Sequence, residues 1–205
     1  LIANRINKIY GILNGTSNYI LSLMDKKKLS YGDALLQAQN LGYAEANSKF
    51  DLNGEDVSSK LKILAALSFN SFINNKNISV EGINNIDGVD INNANILGYK
   101  IKLLGVAETF GKKIIQRVHP AFIKNTSHLA KINGVLNAVV VESSPVGQSV
   151  LQGEGAGPGP TTSALISDLC SVLRGNIKFP FVVANNKRKS ISFEFIKNKK
   201  FSVYL

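Results

Sequence analysis

The chain has 205 residues, of which 44% are hydrophobic and 19% are charged, so it can bury a core and is not globally disordered. No run approaches about 18 uninterrupted apolar residues, so we expect no membrane span. The single cysteine, Cys170, excludes an internal disulfide framework and is typical of a reducing cytoplasm.

The basic charge of the chain raises the question of a nucleic-acid partner. There are 24 Lys and Arg against 14 Asp and Glu, which gives a net charge of +10. The basic residues are scattered, except at Lys26–Lys28 and in the tail from Lys187 to Lys200. Only 4 of them are Arg, whereas phosphate-binding surfaces usually exploit the bidentate Arg fork. We therefore predict a merely basic surface and no nucleic-acid partner.

The first part of the chain has the patterns of helices. Residues 3–24 predict a helix that is interrupted by the polar run Asn14–Asn18. Residues 31–41 are amphipathic with helical spacing, and residues 42–54 are a polar loop. Apolar residues recur at helical spacing again over residues 56–72, which predicts a further helix.

The second part of the chain has the patterns of strands. Residues 78–97 are rich in Asn and ambiguous. Four later segments predict strands, namely Ile101–Ala107, Ile114–Ile123, Val135–Val141 and Gln148–Gln152. A glycine-rich turn over residues 153–160 leads into a last helix over residues 161–173. Helices first and strands later favour an α+β fold, with helices on one face of a mostly antiparallel mixed sheet built after about residue 100 and with Val135–Val141 internal.

The segment from residue 42 to residue 60 carries the chemistry. Glu45, Asp51 and Asp56 fall in a short loop that enters a helix, and Asp56 and Lys60 share one helix face at i,i+4. One interpretation is a surface ion pair that contributes a few tenths of a kcal/mol. The other is a lysine held among carboxylates, where it transfers a proton while the carboxylates bind an ammonium group. Spacing alone leaves both open.

The same segment resembles the signature of the homoserine dehydrogenases. The matching positions are Ala38, Gly42, Tyr43, Ala44, Asp51, Leu52, Gly54, Asp56 and Lys60. One departure is Asn47-Ser48, where the family usually has Asp-Pro, and it loosens the loop because Ser does not fix φ as Pro does. Further similar segments span nearly the whole chain, at Ile12–Leu21, Gly98–Gly105, Arg117–Pro120, Asn137–Val139 and Gly153–Thr161.

This resemblance implies an oxidoreductase that interconverts L-homoserine and L-aspartate 4-semialdehyde with NAD(P), in threonine, methionine and isoleucine biosynthesis. Lys60 resembles the family's proton-transferring lysine, and Glu45 and Asp56 resemble the groups that hold the substrate ammonium. The residues that resemble the rest of the pocket lining are Asn14, Gly15, Thr16 and Tyr43. Asp51 either binds substrate or orders the loop, and both roles stay open.

The glycine-rich turn and the cofactor are connected by the same resemblance. Gly155, Ala156 and Gly157 resemble the turn whose backbone lies near the nicotinamide, where any side chain would collide. A tight turn that ends at Pro160 is the structural alternative, and the two are compatible. No Rossmann fingerprint precedes the motifs, so NAD(P) is expected to be bound mainly by a domain absent from this chain, and the fragment is expected to be inactive alone.

The resemblance also predicts the domain limits and the assembly. Residues 1–184 are expected to form the catalytic, substrate and dimerisation domain of a homodimer, and residues 185–205 a basic linker and the start of a truncated, ACT-like domain. A related amino-acid semialdehyde reductase, or a non-catalytic dimerising or basic binding module, remains the alternative. The two histidines and the cysteine favour structural roles: His119 at a strand end, His128 at the surface and Cys170 in the core, without a metal site.

Overall fold

The computed structural model describes residues 3–70, 78–111 and 113–176. The expected linker and ACT-like segment, residues 185–205, lie outside the described residues. The helices are α1 (Gly15–Lys27), α2 (Tyr31–Asn40), α3 (Lys49–Leu52), α4 (Glu55–Phe69), α5 (Gly88–Ile96) and α6 (Pro158–Leu173). The strands are β1 (Arg5–Ile12), β2 (Ile78–Val80), β3 (Tyr99–Phe110), β4 (Lys113–Lys124), β5 (Leu136–Ser144) and β6 (Gly147–Glu154). A 3-10 turn at His128–Lys131 precedes β5.

The described strands form a six-stranded sheet in the order β2-β4-β3-β1-β5-β6. Every neighbouring pair is antiparallel except β2 and β4, which run parallel. The predicted α+β fold with a mostly antiparallel mixed sheet is therefore confirmed. All of the predicted strand Val135–Val141 except its first residue falls within β5, which is internal as expected because it lies between β1 and β6.

The prediction of a helix over residues 3–24 is wrong in its first half. Residues 5–12 form β1, and only the part after Asn14 is helical. Ile6, Ile9 and Ile12 lie three residues apart and imitate a helical stripe, but their β-branched side chains suit a strand equally well. The expectation that the sheet is built after residue 100 fails for the same reason, because β1 is one of its two central strands.

Helices cover one face of this sheet, as predicted. The larger core cluster joins α1, α4 and α5 to that face through residues such as Leu21, Val57, Leu61 and Ala107. On the opposite face a smaller cluster is closed by the 3-10 turn and the residue after it, Leu129 and Ile132. The C-terminal end of β1 lies between these two clusters, and α1 begins just after it.

Helix α6 differs from the other helices because none of its residues is buried. Leu165, Ile166 and Leu169 are all more than half exposed. The prediction that Cys170 packs in the core is therefore wrong: the thiol is only half-buried, since no described element encloses this helix.

Gly11 lets the neighbouring strands β1 and β5 approach closely. It pairs with Val139, and a Cβ at this position would collide with the backbone oxygen of Ala138. Neither strand can move apart without breaking the hydrogen bonds between β1 and β5. We therefore expect Gly11→Ala to lower the free energy of unfolding by about 1–3 kcal/mol. Urea denaturation followed by circular dichroism measures this.

The matched control is Gly88→Ala, at the first position of α5, where an added Cβ would contact nothing within 4 Å. That change should leave stability unaltered or raise it by roughly 0.4–1 kcal/mol. Equal unfolding midpoints for the two variants would contradict the close approach of β1 and β5.

Candidate active site

The candidate site lies where β1 ends and α1 begins, and Asn14 is its centre. The Asn14 side chain is buried, and its Oδ1 accepts a hydrogen bond of 2.8 Å from the backbone N–H of Ser17, which caps α1. Its Nδ2 donates to Asp51 Oδ1 at 2.9 Å and to Asp56 Oδ2 at 2.8 Å. One amide thus caps a helix and holds two carboxylates from another part of the chain.

Lys60 joins the same cluster from the second turn of α4. Its Nζ donates to Asp56 Oδ2 at 2.8 Å and to the backbone oxygen of Leu13 at 3.1 Å. The Asp56 side chain is only 17% exposed, while that of Lys60 is 47% exposed. Lys60 therefore belongs to a fixed cluster rather than to a simple surface ion pair, and among the described residues two of its three N–H bonds are directed to protein acceptors.

Asp51 is fixed at both its carboxylate and its backbone. Its carboxylate accepts from Asn14, and its backbone oxygen accepts a hydrogen bond of 3.0 Å from Ser17 Oγ. Gly54, in the left-handed conformation with φ 85°, then turns the chain into α4, so that Asp56 lies in its first turn. These contacts order the loop around the carboxylates, which is one of the two roles left open for Asp51.

The loop over residues 42–48 closes another side of the site. Thr16 Oγ1 donates to the backbone oxygen of Tyr43 at 2.8 Å, and the Tyr43 ring lies 4.7 Å from that of Tyr19. The Ser48 hydroxyl donates to the backbone oxygen of Glu45. This hydrogen bond restrains the loop at the position where the family pattern usually has proline. The Glu45 side chain is exposed, and the described contacts do not join its carboxylate to the cluster.

Asn137 is a residue of this site to which the sequence analysis assigned no role. Its Nδ2 lies 3.5 Å from the backbone oxygen of Leu13, the atom that also accepts from Lys60. A Cβ at Gly155 would collide with the same Nδ2. The glycine turn therefore packs on Asn137, which connects it to the Lys60 side of the site.

A family model described as homoserine dehydrogenase matches residues 1–170. The chain belongs to the homoserine dehydrogenase family. Its resemblance to the family's signature, with Lys60 after three carboxylates, is thereby confirmed, whereas the roles of the individual residues remain predictions.

Relatives within the homoserine dehydrogenase family cover most of this chain. The homoserine dehydrogenase of Neisseria gonorrhoeae is 47% identical over 174 residues, which are 85% of this chain and 40% of that protein. The one from Helicobacter pylori is 48% identical, over 85% of this chain and 41% of that protein. The crystal structure of a homoserine dehydrogenase from Thiobacillus denitrificans superposes with a TM-score of 0.89 at 39% identity, over 96% of this chain and 47% of that one. The chain thus spans less than half the length of these homoserine dehydrogenases.

Homoserine dehydrogenases use a nicotinamide cofactor, and the glycine turn suits one end of it. Gly155, Ala156 and Gly157 are exposed, and Gly157 is the N-cap of α6 without a side-chain hydrogen bond. The turn carries little side chain, and Gly155 packs on Asn137, whose Nδ2 lies 3.5 Å from the Leu13 backbone oxygen. The described residues contain no G-x-G-x-x-G fingerprint for the remainder of the cofactor.

The histidines stay outside this site. His119 lies within β4, not at a strand end as predicted, because the strand continues through Pro120 to Lys124. Its Nε2 accepts from Arg117 Nε at 3.1 Å, so the proton is on Nδ1, which donates to the backbone oxygen of Pro120 at 2.8 Å. Burial lowers the pKa of His119 and keeps the ring neutral. His128 is at the surface, as predicted.

The described residues show neither a membrane-spanning helix nor a metal-binding cluster. No described helix combines the length and the apolar character that a bilayer crossing requires. Within the same residues there is no group of three or more His, Cys, Asp or Glu side chains placed to hold a metal ion.

The two functions of Asn14 can be separated by substitution. In Asn14→Asp the side chain still caps α1, but it loses both N–H donors and places a third carboxylate beside Asp51 and Asp56. In Asn14→Ser the cap is kept and no charge is added. We expect Asn14→Asp to be less stable than Asn14→Ser by about 1–2 kcal/mol at pH 7, because like charges repel at this distance.

The pH dependence distinguishes repulsion from simple loss of packing. Proton uptake removes the repulsion, so the stability difference between the two variants should shrink as the pH falls from 7 to about 4. Chemical unfolding at several pH values measures it. A difference that is zero, or that does not change with pH, would show that the amide of Asn14 does not bridge the carboxylates.

Proposed function

We propose that the protein interconverts L-homoserine and L-aspartate 4-semialdehyde with NAD(P), and so serves threonine, methionine and isoleucine biosynthesis. The observation that carries this proposal is the position of Lys60. Its ammonium is held by Asp56 and by the Leu13 carbonyl, beside the glycine turn that fits a nicotinamide. The choice of homoserine as the substrate is inferred from membership of the homoserine dehydrogenase family.

The chemistry assigned to this chain is proton transfer at the substrate oxygen. When bound, the nicotinamide donates or accepts the hydride at the carbon atom of the reacting group. In the reductive direction Lys60 Nζ gives a proton to the aldehyde oxygen as negative charge develops there, and in the oxidative direction it accepts the hydroxyl proton. Asp56 and Leu13 fix the direction of the ammonium, so that its remaining N–H bond is available for the substrate oxygen.

The carboxylates supply the binding site for the substrate ammonium. Asp56 uses Oδ2 for Asn14 and Lys60, which leaves Oδ1 for the substrate. We assign the second contact to the exposed carboxylate of Glu45 on the opposing loop. Two carboxylates, Asp51 and Asp56, face one lysine in the cluster, and this excess of negative charge favours a cationic group.

The remaining predicted residues shape the pocket. Thr16 holds the loop at Tyr43, and Gly15 lets the backbone of α1 approach the Val135 carbonyl, where a Cβ would lie only 2.8 Å away. We assign Asn14 and Asp51 to holding Asp56 in place. Gly155, Ala156 and Gly157 are assigned to the nicotinamide.

We further propose that a dinucleotide-binding domain outside these 205 residues binds most of the cofactor. The chain spans about 40% of the relatives it matches, and its sequence has no Rossmann fingerprint. The reaction and the single cysteine favour a cytoplasmic location.

Substitutions in the full-length protein separate the proposed roles of Lys60 and Glu45. Lys60→Ala should lower kcat by about 10²–10⁴-fold with nearly unchanged affinity for NAD(P), because a general acid–base group acts in the transition state. Glu45→Ala should act chiefly on KM for homoserine, because an ammonium contact exists in the ground and transition states alike. Steady-state kinetics of homoserine oxidation measure both effects.

Two controls accompany these kinetics. Lys62→Ala removes a lysine from the same helix, outside the proposed site, and should leave turnover near normal. The 205-residue chain by itself should not oxidise homoserine, because orientation of the cofactor accounts for about 7–11 kcal/mol of the barrier. Near-normal turnover of Lys60→Ala would refute its role, and turnover by the isolated chain would refute the separate cofactor domain.

We also propose a homodimer, supported by the apolar surface at one end of the sheet. β6 is an edge strand whose Val150 and Leu151 are 39% and 63% exposed. Sedimentation of the full-length protein at tens of micromolar should give a dimer. Val150→Lys should shift it toward monomer, while Val89→Lys on the exposed side of α5 should not. A monomeric wild-type protein would contradict this assignment.

A further inference from the structure

Lys102, in the middle of β3, is a buried lysine that the proposed reaction does not use. The residue is only 3% exposed. Its Nζ donates to three neutral oxygen atoms: Asn18 Oδ1 at 3.0 Å, the backbone oxygen of Ile132 at 2.5 Å and Asn133 Oδ1 at 3.3 Å. All three N–H bonds of the ammonium are thus satisfied without a carboxylate.

The environment of Lys102 does not favour its charge. Burial lowers the pKa of Lys102 to about 8; Asp25 opposes this change, while Lys100 and Lys26 add to it. A buried cation without a directly bonded anion carries a desolvation cost, which the three hydrogen bonds of Lys102 offset. A residue that breaks the local rule in this way is expected to serve function.

The acceptors of Lys102 belong to one hydrogen-bonded unit with the loop over residues 132–136. Asn18, one turn after Asn14 in α1, directs its Nδ2 to the backbone oxygens of Ile132, Gly134 and Leu136 at 3.0–3.2 Å. The N–H of Gly134 donates to Ser22 Oγ at 3.2 Å. Lys102 and Asn18 therefore fix this loop against α1 from inside the protein.

The loop touches the candidate site on two sides. The carbonyl of Val135 packs against Gly15, at the first position of α1. Asn137, directly after the loop, lies against the Leu13 carbonyl and under Gly155. A displacement of the loop would therefore move Gly15, at the start of α1, and Asn137, which lies under the glycine turn, at the same time.

We propose that Lys102 is a positioning residue for the active site, which acts through Asn18 and the loop over residues 132–136 on Gly15 and Asn137. This inference rests on the proposed function for its kinetic consequence. Its structural part, the fixing of the loop by a buried ammonium, stands on the hydrogen bonds alone.

The main test is Lys102→Met in the full-length protein. Well below the Tm of the variant, where it stays folded, kcat/KM for homoserine should fall by about 10–100-fold, because small displacements of reacting groups are costly. The Kd for NADPH, measured by its fluorescence, should change less than twofold. A purely structural role would lower homoserine turnover and cofactor affinity together.

The matched control is Lys100→Met, two residues earlier in the same strand. Lys100 pairs with Asp25 at 2.6 Å and its side chain is 31% exposed. Its removal should leave kcat/KM within twofold of the wild type. If Lys102→Met does not fold, Asn133→Ala removes one loop acceptor of Lys102 and should lower kcat/KM several-fold at an unchanged Tm.

Amide hydrogen exchange of the full-length protein gives a readout independent of activity. In Lys102→Met the N–H of Gly134 should exchange at least tenfold faster, while amides in β4 keep their rates. If the wild-type protein does not oxidise homoserine, the proposed function fails, and exchange at Gly134 still decides the positioning role. Turnover within twofold of the wild type in Lys102→Met, or unchanged exchange at Gly134, would overturn the inference.

Discussion

The side-chain amide of Asn14 is the contact on which the candidate site depends. It begins α1 through its oxygen and gathers Asp51 and Asp56 through its nitrogen. Because β1 lies between β3 and β5, the residue that follows this strand has a fixed position relative to the whole sheet. The carboxylates are thereby placed by a central strand of the sheet, although Asp51 belongs to the short helix α3 and Asp56 to the first turn of α4.

The electrostatic balance of the site follows from this placement. Asp56 Oδ2 accepts hydrogen bonds from the uncharged Asn14 amide and from the Lys60 ammonium. The other carboxylate oxygen, Oδ1, therefore keeps its capacity to accept hydrogen bonds. Lys60 is also tied to the Leu13 carbonyl, which Asn137 approaches from the other side. The Lys60 ammonium, the Leu13 carbonyl and the glycine turn are thus connected, through Asn137, at the C-terminal end of β1.

The sequence predicts those parts of this arrangement that depend on local spacing. The pairing of Asp56 with Lys60 follows from i,i+4 geometry, and β5 follows from its nearly unbroken run of apolar residues. The sequence does not predict β1, because its isoleucines recur every three residues as in a helix, and only their β-branched side chains indicate a strand. The contacts of Asn137 and Lys102 join residues that lie more than 80 positions from some of their partners, so no local pattern can reveal them.

The central position of β1 has a consequence for how the chain folds as it is made. Ile9 pairs with Ala107 on one side and with Val141 on the other, so its second neighbour is synthesised about 130 residues later. At roughly 5–20 residues per second, the first strand waits for about 7–26 s with one edge unpaired. Such non-local pairing slows folding, and until β3 is made the described helices that can shield the apolar residues of β1 from other chains are α1 to α5.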